Sequence, residues 1–229
     1  MKRLSTYLNE RLVVNQRFDE KLVINKNYKH YTCAPKSWKE LREIIKQRYE
    51  EQGPGTEQNP IDLNDIDVSN IDSFNGGNTG AFEGIAFEYI DVSNWNVSKA
   101  EKIHLMFYGC NKLESVGDLS NWDVSRVKYM NTMFCKCHNL KSVGDLSNWN
   151  VSNVEYMYNM FYECKKLESV GDLSKWNVSN VKDMSFIFCN CHKLESVGDL
   201  SKWDISNVKD MCFMFFESGI TNIPSWYKE

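Results

Sequence analysis

The sequence predicts an α/β solenoid: 27-residue helix-plus-strand units stacked behind an N-terminal capping helix. Tryptophan falls at Trp95, Trp122, Trp149, Trp176 and Trp203, a period of 27 throughout, and a fixed period of this length marks stacked repeats. The copies share one frame, W-x-(V/I)-S-x-(V/A)-x-x-(M/I)-x-x-(M/I)-F-x-x-(C/S)-x-x-L-x-S-V-G-D-L-S. A separate helix-forming segment precedes the array.

In chain order the first element is a basic arm over residues 1–34. It holds two echoing runs, NERLVVN (9–15) and DEKLVIN (19–25). Their apolar residues Leu12, Val13, Val14 and Leu22, Val23, Ile24 are the candidate docking set. They are compatible with a small hairpin, with addition to a sheet edge, or with ordering on a partner. Residues 35–60 form the cap and its loop. In SWKELREIIKQRYEEQ (37–52), Ser37 and Glu40 have capping-box spacing. Leu41, Ile44, Ile45 and Tyr49 make an apolar face, and Gly53 and Pro54 close the helix.

Residues 61–229 form the array: a degenerate first unit, five 27-residue units and a C-terminal cap. The first unit has Ile66 in the tryptophan position, with NGGNTGA (75–81) as an irregular insertion. Within each full unit, Val127, Met130, Met133, Phe134 and Cys137 lie three or four apart, the spacing of a helix face. Ser98 and Ser152, followed three residues later by Glu101 and Glu155, have N-cap spacing. LKSVGDLSNWNVS (140–152) reads as a short strand and an extended arc, turned at Gly144. At the end a last strand is expected through Ile220 and Ile223, stopped by Pro224.

F-x-x-C-x-x-L-x-S-V joined to W-x-V-S-x-V-x-x-M-x-x-M-F resembles the BspA-like repeats of bacterial surface proteins, a branch of the leucine-rich repeats. PKSWKELREIIKQRYEEQGPG at 35–55 is similar to the lead-in helix of such arrays. The resemblance covers about residues 35–226. It implies a right-handed leucine-rich-repeat-like solenoid used for protein or surface binding, and no enzymatic activity. The family's surface members carry export or anchoring signals. The start MKRLSTYLNERLVV lacks the apolar run of a secretory leader, so adhesion is not carried over. A bacterial cytoplasm or a phage particle is the expected location. The arm resembles leader segments of proteins from large tailed phages, and the alternative function is a structural or cargo component of a phage particle docked through it.

Charge narrows the partners. Residues 1–60 carry 12 Lys+Arg against 8 Asp+Glu, whereas residues 61–229 carry 15 against 23. An acidic array is a poor surface for phosphates, so no nucleic acid is expected. No apolar run reaches the ~18–20 residues of a membrane-spanning helix.

Residues that could carry chemistry are expected to be structural. Cys110, Cys137, Cys164 and Cys191 share one frame position and read as a reduced, buried ladder. CKCH (135–138) and CNCH (189–192) are a whole copy apart, too far to close one zinc site. Asp118, Asp145, Asp172 and Asp199 follow the glycine of each unit, a turn position. No nucleophile–base set stands out, so no enzyme, metal or cofactor is expected. The copy-variable aromatics are different: Tyr108, Tyr129, Tyr156, Tyr158, Tyr162, Phe186, Phe213 and Phe216. They either pack between neighbouring copies or form an exposed patch that takes a protein partner.

Overall fold

Ser37 opens the first element much as its spacing predicts. In the computed structural model, which describes residues 31–228, helix α1 runs Trp38–Gln52. The Ser37 hydroxyl accepts from the Glu40 N–H (3.3 Å), and the Glu40 carboxylate accepts in return from the Lys36 N–H (2.8 Å). Leu41 and Ile45 are fully buried, with Ile44 and Tyr49 packed against the core. Gly53, at φ 77°, ends the helix by donating to the Tyr49 carbonyl. The arm residues Leu12, Val13, Val14, Leu22, Val23 and Ile24 lie outside the described residues.

Beyond α1 the chain lays each copy of the repeat beside the next. Strand β1 (Ile61–Asp62) pairs in parallel with β4 (Ile90–Asp91). Two ladders of single parallel bridges continue the stacking: Tyr89–Ser115–Ser142–Ser169, and Lys102–Tyr129–Tyr156–Asp183–Asp210. The insertion NGGNTGA is a tight hairpin of β2 (Asn75–Gly76) and β3 (Thr79–Gly80), paired antiparallel. The Trp38 ring of α1 lies so close over Gly76 that no Cβ would fit there.

The helices expected inside each unit do not form, and the α/β helix-plus-strand description is corrected accordingly. Their three-residue apolar spacing comes from a train of i→i−3 turns: Val127 N–H to Val124 O (2.9 Å), Cys137 to Phe134 (3.0 Å), Leu140 to Cys137 (3.1 Å). Between the turns, amides bond to the next copy instead of four residues back, as Met130 does to Tyr156 O (3.1 Å) and Phe134 to Met160 O (2.9 Å). Two columns of left-handed residues bend the path. One is Leu105, Thr132, Asn159, Phe186 and Phe213 (φ 60, 56, 54, 56 and 52°), and Lys136 (φ 62°) typifies the other. A right-handed helix cannot pass through such residues. The predicted capping boxes are absent too: the Ser98 and Ser152 hydroxyls donate to Asn96 and Asn150 (2.7 Å each). Near the end, Ile220 is buried but Ile223 is exposed, and no strand forms there. Trp226 stacks on Trp203 (6.4 Å) and Tyr227 meets Phe215 edge-on (5.1 Å) instead.

Like side chains stack on like down the core. Phe107, Phe134, Phe161 and Phe188 form a row with centroids 5.2, 5.6 and 6.1 Å apart. Each buried indole N–H donates to a carbonyl of the preceding copy: Trp122 to Val92 (3.1 Å), Trp149 to Leu119 (2.9 Å), Trp176 to Leu146 (2.9 Å), Trp203 to Leu173 (3.0 Å). The cysteines of the shared position, all free thiols, do the same: Cys137 to Phe107 O (3.0 Å), Cys164 to Phe134 O (3.1 Å), Cys191 to Phe161 O (3.0 Å).

The aspartates after each glycine are turn formers. The Asp145, Asp172 and Asp199 carboxylates accept from the N–H of Ser147, Ser174 and Ser201 (2.9 Å each). Those bonds hold all three carboxyls below the usual range. Gly171, at φ 83°, leaves no room for a Cβ, which would strike the Asp145 carboxylate. Gly171→Ala combines left-handed strain with that clash and is expected to cost about 1–3 kcal/mol, read from the shift of a denaturant midpoint at constant slope.

Candidate interaction surface

Copy-variable aromatics stand beside the left-handed corners at Leu105, Thr132 and Asn159. The residue after each corner, Met106, Met133, Met160 or Ile187, goes to the core. Tyr129 and Tyr156 occupy one bridge column and stack in parallel, 5.6 Å apart with 3° between their planes. Both are half-buried. Together with Tyr158, His104, Leu105, Asn131 and Thr132 they line an open groove of about 440 Å³, with Gly77 and Asn78 of the hairpin at one side.

Cations rim the rings. Lys102 Nζ lies 5.8 Å from the Tyr129 centroid and Lys182 Nζ 5.7 Å from that of Tyr156. Lys182 also donates to Glu155 (2.5 Å), which raises its pKa. Burial, then the nearby Asp183 carboxylate, pushes the Tyr158 phenol up, so it stays protonated. Burial and then Lys102 push His104 below the usual imidazole range. Its Nε2 faces Asn75 Nδ2 at 2.7 Å, while its buried Nδ1 has no partner among the described residues. The groove thus offers aromatic edges, a cationic rim and polar groups from His104, Asn131 and Thr132. That set suits stacking and hydrogen bonding, and the Thr132 hydroxyl already donates to its neighbour's backbone, Asn131 O (2.6 Å).

The eight predicted aromatics fall into two groups. Tyr129, Tyr156 and Tyr158 line the groove. Tyr162, Phe186, Phe213 and Phe216 form a second cluster toward the C-terminal end. In it Tyr162 meets Phe186 edge-on (6.1 Å), Phe186 stacks on Phe213 (5.2 Å), and Phe213 meets Phe216 edge-on (5.7 Å). Tyr108 is half-buried and belongs to neither. Packing between copies and exposure are therefore combined, because rings stack down the column and leave one edge to solvent. Sequence reasoning missed His104, Asn131 and Thr132, although all three stand at copy-variable positions. Gly77 and Asn78 carried no such signal. Cys135 and Cys189, which spacing places on the flank, are buried. Burial raises their thiols to about 12 and about 11.

Residues 77–170 and 142–226 match the model of a family described as "Mycoplasma protein of unknown function, DUF285". No curated protein matches the chain. Among solved structures, a leucine-rich repeat protein from Eubacterium ventriosum matches with a TM-score of 0.46 and 19% identity, over 71% of this chain and 39% of that one. The chain thus spans well under half the length of that protein.

Proposed function

The chain belongs to the DUF285 family, and we propose that it is a non-enzymatic protein-binding module. In this reading the array is a right-handed, BspA-like solenoid of 27-residue units that recognises its partner across several copies. The observation that carries it is the division of labour along the repeat. The shared apolar positions are buried, while the variable aromatics Tyr129, Tyr156 and Tyr158 converge on one open, cation-rimmed groove. Half-buried tyrosines lose little freedom on binding and make good anchors. The cationic rim favours a segment that carries acidic residues beside apolar ones.

A random-peptide display library selected on the wild-type chain tests this. Ligands so obtained are expected to bind Tyr129→Ala and Tyr156→Ala about 10- to 100-fold more weakly, the loss typical of an aromatic anchor. Unchanged affinity in both variants, with thermal midpoints near wild type, would remove the groove as the binding site.

A further inference from the structure

The stack ends on an open backbone edge in the last copy. In the fourth full copy the N–H groups of Met184, Phe186, Phe188 and Asn190 donate to the carbonyls of Asp210, Cys212, Met214 and Phe216 (3.0, 2.9, 3.0 and 2.9 Å). Met211, Phe213, Phe215 and Glu217 hold the same places in the last copy, and their N–H groups meet no acceptor among the described residues. The same edge offers an acceptor. Lys209 N–H donates to Lys182 O (2.8 Å), but the carbonyl of Lys209 itself receives nothing among the described residues. Beside this edge stand Phe213 and Phe216, 50% and 42% exposed, two of the three large apolar side chains that the described residues leave open to solvent.

The opposite end is closed. Arg42 of α1 donates to the carbonyls of Gly80 (2.7 Å), Ala81 (3.1 Å) and Glu83 (2.6 Å), and Trp38 covers Gly76. A second copy therefore cannot continue the stack head to tail, because the carbonyls it would present are taken. Two last copies brought face to face would set donors against donors. The complement of this edge is a single chain segment that supplies its own carbonyls.

We infer that the edge Met211–Glu217 binds a peptide segment of another protein, laid parallel to it and following the same turns. Its alternate carbonyls accept from the four free N–H groups, and its apolar side chains pack on Phe213 and Phe216. Every bridge between neighbouring copies of the array is parallel, which sets the direction. The segment must also follow the left-handed corner at Phe186 and Phe213 (φ 56 and 52°). Glycine or asparagine over Phe213 makes that corner easiest. The inference stands apart from the groove and does not depend on it.

The probe is a labelled synthetic peptide copying residues 209–218, with Cys212→Ser and Phe213→Asn. Added to the full chain, it is expected to show saturable anisotropy. It should slow amide exchange at Met211, Phe213, Phe215 and Glu217, which exchange freely without it. The double variant Phe213→Asp, Phe216→Asp changes only exposed side chains and should weaken binding by about tenfold or more, whereas Tyr156→Ala should leave it unchanged. Absence of saturable binding, undiminished binding to the double variant, or protection of those four amides in the free chain would each overturn the inference. The last result would mean that another part of the chain already covers the edge.

Discussion

Above about pH 8.5, where an unfolded cysteine ionises, the protein is expected to lose about 8 kcal/mol of stability for each further pH unit. Six thiols set this slope, Cys135 and Cys189, raised to about 12 and about 11, among them. Cys110, Cys137, Cys164 and Cys191 are buried, and each donates its S–H to a backbone carbonyl of the preceding copy. Desolvation pushes Cys110 up to about 12 and holds the other three well above the usual thiol range. The folded chain therefore keeps these protons at a pH where the unfolded chain has released them. Stability is flat with respect to these groups below about pH 8.5 and falls as pH rises through the range up to their folded values. Because a domain has only about 5–15 kcal/mol in hand, one or two pH units suffice to unfold it. Guanidinium titrations between pH 7 and 11 under reducing conditions give the slope. In Cys164→Ala it should shrink by about 1.4 kcal/mol per pH unit, even though that variant starts less stable. A midpoint that stays level to pH 10 would mean that the thiols are wetter than their burial indicates. The same burial makes the ladder unreactive: Cys212, exposed, should meet a disulfide reagent first.

Trp149→Ala is expected to cost about 4 kcal/mol or more, the largest effect of a single change in the array. The indole is buried, stacks on Trp122 at 6.5 Å, and donates to Leu119 O (2.9 Å). Truncation opens a cavity and removes one of the two hydrogen bonds that Leu119 O accepts, leaving only that from the Trp122 N–H (3.0 Å), and the two costs add. Trp149→Phe separates them: most of the packing survives, the donor is lost, and about 1–2 kcal/mol should go. Since each copy touches only its neighbours, a break at Trp149 also uncouples the two halves of the stack. The denaturation curve of Trp149→Ala is then expected to broaden or split. A single sharp transition with a small shift would show that the tryptophan column is replaceable.

Much of this molecule was legible in the sequence because stacking writes the same constraint once per copy. The 27-residue spacing of Trp95 to Trp203, the phenylalanine, cysteine and tryptophan columns and the turn aspartates all follow from aligning the copies. So does the identity of the residues that go inside. The cap helix was equally plain, since Ser37, Glu40 and Gly53 are local signals acting through local hydrogen bonds. What the sequence could not decide is the path between the columns. A helix and a train of i→i−3 turns put apolar residues at the same three-residue spacing. The choice between them lies in bonds such as Met130 N–H to Tyr156 O, whose partner is a whole copy away. The surface was decided there too. Left-handed Thr132 and Phe186 carry ordinary side chains that give no warning of their backbone. Only the stacked chain brings the Gly77–Asn78 hairpin beside Tyr129 and ends on an open row of amides at Met211–Glu217. Residue type set what is buried, since transfer from water is a property of the side chain. Direction and edge were set by hydrogen bonds between copies, which no single copy contains.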